Sequence, residues 1–464
     1  MADQAHNSLR DRAVGIVRRL QENRFAAYWV GGCVRDMLLG REPVDFDVAT
    51  SALPEQIERL FPRTIPVGRK FGVIIVLDGE RQFQVATFRA EADYLDGRHP
   101  EQVRFGDAVA DARRRDFTVN GLFFDPISNE LLDWVGGKID LESKLIRTIG
   151  SPAERFGEDY LRMLRAVRLA AQLEFELEPV TLAAIRTGAA KIQRISAERV
   201  RDELLKLFRA PHAARGLELL RSSGLLDQVL PEIAAASGCE QSPDFHPEGT
   251  VFKHLRLMLS LMLPDAASAV PWAVLLHDVA KPVTASRDPQ TGSIHFYGHE
   301  RIGAEMAQNI LTRLRFPRKQ IEEIVQAVRY HMQFKDVPLM RKATLRRLLM
   351  RPTFPLELEL FRLDCLGSHG GLEVYQFLVE QSQILERQPE IQPPLLRGED
   401  LLRLGMRSGP ALGALLAELR EKQLQDELRT PAEALVWAKQ RLAEIEKSEG
   451  SRPALGKPDR RRGR

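Results

Sequence analysis

Periodicity divides this chain at about residue 150. Before that point short β-rich runs alternate with turns and two amphipathic helices; after Pro152 the apolar spacing is helical almost to Gly450. A sheet can therefore form only in the first part, which sets the fold class as α+β with an all-helical remainder. In the first part, Arg10 to Leu20 reads as an amphipathic helix, Ala27 to Val30 as a strand, and Val34 to Leu39 as a second helix. Phe46 to Ala49, Val73 to Leu77 and Phe83 to Phe88 read as strands, with Asp78-Gly79 as a hairpin turn between the last two. Leu131, Leu132 and Trp134 then lead into a Gly136-Gly137 turn.

At 464 residues the chain is long enough for several cores. The 67 Lys and Arg nearly balance the 64 Asp and Glu, which argues against a polybasic coat but leaves room for local basic patches. Residues 451–464 are one such patch, with six Lys or Arg, one Asp and no apolar pattern, and they read as a disordered tail able to touch RNA. Three cysteines at unpaired spacing exclude a disulfide scaffold and a cysteine zinc module. The polar start lacks a signal-peptide pattern, and no apolar run approaches a membrane span, so a cytoplasmic chain with no membrane partner is expected.

The chemistry-bearing residues cluster. Val30-Gly31-Gly32-Cys33-Val34-Arg35-Asp36 puts two glycines between a strand and a helix, where backbone amides can approach a phosphate. A Gly-Gly turn alone is a common structural device. Thirteen residues on, however, Asp45 and Asp47 alternate along an extended run, so both carboxylates face one way. Hard oxygen donors in that arrangement suit Mg²⁺ and the two-ion chemistry of nucleotidyl transfer. Further along, Asp159 and Arg162 stand at i, i+3, a spacing that would put an acceptor and a donor on one helix face. Cytosine and adenine both present an amino donor beside a ring-nitrogen acceptor, so such a pair accepts C and A and rejects U and G without a template. Arg165 and Arg168 extend the stripe, either toward triphosphate or RNA backbone or simply as a solvated face.

Residues 30–50 resemble the head of the nucleotidyltransferases of the DNA polymerase β superfamily, in the class II branch of tRNA CCA-adding enzymes and bacterial poly(A) polymerases. Val85 to Arg89 resembles the branch's strand after the metal site, and Tyr94 to Val103 its flexible loop. Arg114 to Asn120 and Glu158 to Arg162 resemble its ribose- and phosphate-contacting and base-selecting motifs. The resemblance implies that Asp45 and Asp47 hold Mg²⁺ and that Gly31, Gly32 and Arg35 cradle the triphosphate. It further implies nucleotide contacts from Arg89, Arg115, Asp116 and Asn120, base choice by Asp159 and Arg162, and tRNA, CTP and ATP as partners. Gln84 stands where the family often has a third carboxylate, a weakened ligand rather than a dead site.

A second set, His254, His277-Asp278 and Asp364, follows the order H…HD…D on helical sequence, a donor set for a divalent metal. The surrounding His246-Pro247-Glu248-Gly249, Gly298-His299-Glu300 and Tyr330-His331 resemble the HD domain attached to some bacterial CCA-adding enzymes. The resemblance implies phosphatase or cyclic phosphodiesterase activity, or else an HD fold kept as an RNA-binding body. The expected organisation is a nucleotidyltransferase head (1–147), helical neck (148–215), helical HD-type domain (216–388), helical tail (389–450) and the basic end. The leading expectation is an enzyme adding CCA, or its terminal A, to tRNA. CC-adding members lack much of the flexible loop, and Asp93 to Val103 is present here. Poly(A) synthesis ranks second, because Pro66 and Ile75 depart from its signature. An HD phosphohydrolase with an RNA-tethering head is a third reading.

Overall fold

Alternating burial on the strand β1 (Ala27–Val30) organises the head in this computed structural model, which describes residues 2–90, 104–242, 246–368, 370–387 and 393–450. Trp29 points to one face, against Phe46 and Phe124 at ring-centroid distances of 4.5 and 5.9 Å. Tyr28 points to the other, against Phe88 and Phe123. A strand covered on both faces belongs in the middle of a sheet, and β1 lies between β2 (Val48–Thr50) and β6 (Phe123–Asp125). Completed by β3 (Thr64–Gly68), β4 (Val73–Asp78), β5 (Arg81–Thr87) and β7 (Glu130–Leu132), the sheet runs β3-β4-β5-β2-β1-β6-β7. Only the β2–β5 pairing is parallel, so the sheet is mixed.

The helices follow from the same patterning. In α1 (Ala2–Glu22) the residues Ala13, Ile16, Val17 and Leu20 are all buried, at the spacing of one helix face, and the helix packs on β1 and β2. The remaining head helices are α2 (Gly32–Leu38), α3 (Pro54–Leu60), α4 (Ala108–Arg113) and α5 (Gly137–Glu142). The turn at Asp78-Gly79 joins β4 to β5, with Gly79 at φ +62°. Strand β3 is absent from the sequence reading because its residues are mostly exposed and Pro66 interrupts it. An edge strand tolerates that proline, and its pairing with β4 shifts register between Ile65 and Gly68.

After the head come α6 (Pro152–Glu158), α7 (Leu161–Leu173), α8 (Pro179–Gly188) and α9 (Ala197–Leu207). Helix α7 is buried over most of its circumference, leaving Arg162, Arg165 and Arg168 as a partly open stripe, and α9 packs against it. Residues up to Arg329, with the short segment 367–369, form one compact unit, and the others from Tyr330 form a second. The second unit contains two apolar clusters, around Phe334, Leu348 and Leu378 and around Leu401, Leu415 and Ala434. The loop expected at Tyr94 to Val103 and the basic end at 451–464 lie outside the described residues.

Gly137 fixes the approach of α5 to the segment before β6. A Cβ there would lie 2.2 Å from the Thr118 carbonyl oxygen and 2.9 Å from Leu122 Cδ2. That carbonyl is held in place, since it accepts from the Gly121 N–H while the Thr118 N–H donates to Arg147. Gly137→Ala should therefore destabilise the fold by about 3 kcal/mol, read as a lower denaturant midpoint. Gly157→Ala, in helix α6 with nothing within 4 Å of the added methyl, should change stability by about 1 kcal/mol or less.

Candidate functional site

Asp45 and Asp47 lie just before β2, still in the ladder, since the Val30 N–H donates to the Asp47 carbonyl. Phe46, between them, is buried against Trp29, so both aspartates are turned to the opposite, open face. Burial and the neighbouring charge of Asp45 push the Asp47 carboxyl up from 3.8 to about 6, against the pull of Arg115. Two crowded carboxylates of this kind are a fitting donor pair for a divalent cation, which relieves their repulsion. The register Val48↔Val85 makes the preceding residues, Asp47 and Gln84, neighbours, and Gln84 is exposed. Cys33, nearby, is inert packing, its thiol pushed up to about 12 by burial.

Arg115, in the loop from Arg114 to Asn120, comes near enough to this face to lower the Asp47 carboxyl. Gly31 adopts φ +76°, open to glycine, and a Cβ there would stand 3.2 Å from Arg115 Nη1. The glycine turn thus admits the Arg115 guanidinium, whose Nε and Nη2 donate to Asp111 Oδ2 at 3.2 and 2.9 Å. Asp111 also takes Arg114 and the Arg89 amide. Burial would raise its carboxyl, but Arg115 and Arg114 outweigh that and hold it below the ordinary value. Asp116 behaves alike: burial raises it, and Arg165, donating at 2.9 and 2.6 Å, brings it down. Asn120 bridges Asp116 to Arg35, accepting from Arg35 Nη1 at 2.7 Å. Gly31, Gly32, Arg35, Arg115, Asp116 and Asn120 are therefore one connected group. Sequence reasoning missed Asp111, although its i+3 and i+4 spacing to Arg114 and Arg115 was a usable signal.

Asp159 and Arg162, expected to share one helix face, are placed differently. Asp159 and Arg162 do not share a helix face, because Asp159 is extended (φ −154°, ψ 105°) in the break between α6 and α7. The two side chains have separate partners. Asp159 accepts from the Leu161 N–H at 3.0 Å and from Arg199 Nη2 at 2.6 Å. Arg162 pairs with Glu158 and donates to the Arg155 carbonyl at 2.9 Å. Arg165 and Arg168 are not a free solvated stripe either: Arg165 holds Asp116, and Arg168 holds the buried Glu203 at 2.6 Å.

In the helical body of the first unit, His254, His277 and Asp278 bring ligand atoms within 4.8 Å of one another, all three buried. His277 ends the apolar helix Val270–Leu276, as expected. Its Nδ1 lies 2.8 Å from the Val274 carbonyl, which can only accept, so the proton sits on Nδ1 and Nε2 is left as the ligating atom. His299 repeats the device, with Nδ1 2.7 Å from the Phe296 carbonyl and Nε2 3.5 Å from Asp278. His254 Nδ1 is 2.7 Å from Glu248, which also meets His246 at 3.0 Å. Burial would raise Asp278, but His277 and Lys281 hold it well below 3.8. This donor set fits a divalent transition metal. Asp364 belongs to the helix Phe354–Gly367 of the second unit.

Three family models match: a poly(A) polymerase head domain at residues 27–147, a probable RNA- and SrmB-binding site of polymerase A at 174–237, and an HD domain at 246–366. The A-adding tRNA nucleotidyltransferase of Deinococcus radiodurans is 37% identical over 434 residues, covering 89% of this chain and 95% of that protein. The CCA-adding enzyme of Geobacillus kaustophilus is 45% identical over 226 residues, 48% of this chain and 55% of that protein. The crystal structure of the Bacillus stearothermophilus CCA-adding enzyme in complex with CTP matches with a TM-score of 0.73 at 29% identity. That match covers 94% of this chain and 98% of the other.

The Asp45–Asp47 repulsion can be measured directly. In metal-free protein, carboxyl NMR should show Asp47 titrating at about 6. In Asp45→Asn the value should fall but stay above 3.8, because burial is the larger cause. An Asp47 already at 3.8 in the parent protein would contradict the geometry.

Proposed function

The chain belongs to the family of tRNA nucleotidyltransferases that add CCA or its terminal A, and we propose that Asp45 and Asp47 are the residues on which its transfer chemistry rests. The observation that carries this is the pair itself: two carboxylates turned to one open face beside Arg115 and the Gly31 turn. They would hold Mg²⁺, which when bound acidifies the RNA 3′-hydroxyl and steadies charge on the departing pyrophosphate. The chain's own residues do the remaining work. Gly31, Gly32 and Arg35 shape the triphosphate cradle, and Arg115 and Arg89 add positive charge against the phosphates. Asp116 and Asn120 face the ribose, with Asp116 kept ionised by Arg165. Asp159 accepts from the amino group of C or A while Arg162 donates to the ring acceptor, so the protein edge replaces a template base.

The finer assignment is addition of the terminal A, supported by the near full-length similarity to an A-adding relative. A cytoplasmic protein acting on tRNA fits its similarity to an A-adding tRNA nucleotidyltransferase. The division into head, neck, HD-type body and tail at the boundaries read from sequence is proposed with it. A second activity, phosphohydrolysis, is favoured by the His254, His277 and Asp278 group. Those residues would hold a divalent ion that polarises a phosphate ester.

Single-nucleotide incorporation separates these readings. On tRNA ending in CC, ATP should be added once and UTP and GTP not at all. Asp45→Asn and Asp47→Asn should each lower the rate by roughly 10²-fold or more. CTP addition to tRNA lacking its end would replace A addition with complete CCA synthesis, and long A tails would indicate a poly(A) polymerase. No incorporation, with phosphate release abolished by His277→Ala, would overturn the transferase reading.

A further inference from the structure

We propose that Glu248 is a positioning residue for the metal of the His254, His277 and Asp278 group, holding the His254 imidazole so that Nε2 is the atom turned to the ion. This rests on the reading of that group as a divalent-metal site. His277 and His299 are oriented by the Val274 and Phe296 carbonyls, which are fixed parts of the backbone. His254 is held differently. It stands in the first turn of the helix Val251–Ser260, with its backbone N–H on the Thr250 carbonyl. Its ring meets a side chain instead: Nδ1 lies 2.7 Å from Glu248 Oε1. An ionised carboxylate can only accept, so Nδ1 carries the proton and Nε2 keeps the lone pair that a metal needs. A carboxylate behind the ring also makes the imidazole a more basic ligand.

Glu248 is itself pinned. His246 Nδ1 lies 3.0 Å from the same Oε1, and the His246 and His254 rings meet edge to face with centroids 4.8 Å apart. Backbone bonds close the turn that carries these residues. The Gly249 N–H donates to the His246 carbonyl, the Gln241 N–H to the Gly249 carbonyl, and the Val251 N–H to the Cys239 carbonyl. Gly249 takes φ +102°, open to glycine, where the chain turns from Glu248 into the helix, and the Thr250 side chain caps that helix by accepting from the Lys253 N–H. The Glu248 side chain is only 11% exposed and that of His254 is fully buried, so solvent has little access to take the carboxylate's place. Without Glu248, the His254 ring loses the group that chooses its tautomer. The proton then divides between the two nitrogens, and the fraction with Nε2 protonated cannot bind a metal.

The test is the Zn²⁺ affinity of the full chain, read by competition with a chromophoric chelator, together with the imidazole-nitrogen NMR spectrum of the metal-free protein at about pH 8, where a free imidazole is neutral. The parent protein, Glu248→Ala, Glu248→Gln and His277→Ala are compared, with the His254 signals assigned by their loss in His254→Asn. Glu248→Ala should weaken Zn²⁺ binding about 10- to 100-fold and turn His254 from the Nδ1–H form into a mixture of tautomers. Glu248→Gln, whose amide oxygen still accepts, should keep the Nδ1–H form and most of the affinity. Unchanged affinity in Glu248→Ala would overturn the proposal, as would weakened affinity with the His254 tautomer intact, the pattern of a merely structural loss. A Glu248→Gln variant as weak as Glu248→Ala would also overturn it, by making the carboxylate a direct ligand. A His277→Ala variant that binds Zn²⁺ as tightly as the parent would instead overturn the metal-site reading beneath it.

Discussion

The ion pair between Asp116 and Arg165 is the contact on which the site depends. Asp116 follows Arg115, whose charge reaches Asp47, and Arg165 stands in the middle of α7. Burial raises the Asp116 carboxyl, and the Arg165 guanidinium outweighs it and brings the carboxyl below its ordinary value. Truncating Arg165 would leave a buried carboxylate without its main partner, the costlier half of any such exchange. Through this pair the elements proposed to hold nucleotide phosphates and sugar are tied to the helix whose first turn carries Arg162. Arg35, Asn120 and Asp116 continue the line toward the glycine turn, and Arg165, Glu203 and Arg168 continue it toward α9.

The two candidate metal sites obey different rules. In the head, carboxylate oxygens converge beside an arginine, a hard and partly open donor set. In the helical body, imidazoles converge on a buried carboxylate, and backbone carbonyls behind His277 and His299 set which nitrogen carries the proton. One chain therefore presents an edge suited to phosphates in solution and a closed cluster suited to a softer ion.

Much of this was legible in sequence because short-range periodicity dictated it. The alternation Asp45-Phe46-Asp47-Val48 gave the face, and burial of Phe46 against Trp29 enforces it. Strand β1 and the β4–β5 turn fell where spacing put them. The failures share a physical cause. Spacing of i, i+3 suggested one helix for Asp159 and Arg162, yet the chain breaks at Asp159, and its carboxylate is claimed by a residue forty positions away. Arg165 and Arg168 were ambiguous for the same reason, since Glu203 and Asp116 reach them only through folding. Local pattern specifies which face a side chain occupies, and packing then decides which long-range partner it meets.

The most direct measurement is a crystal structure of the full chain with CTP and Mg²⁺. The expected result is the cytosine amino group on the Asp159 carboxylate, Arg162 donating to the ring acceptor, and the triphosphate between Arg115 and the Gly31 turn. Asp159 should still be bonded to Arg199. A nucleotide bound with its base beyond hydrogen-bond reach of both Asp159 and Arg162 would contradict the mechanism.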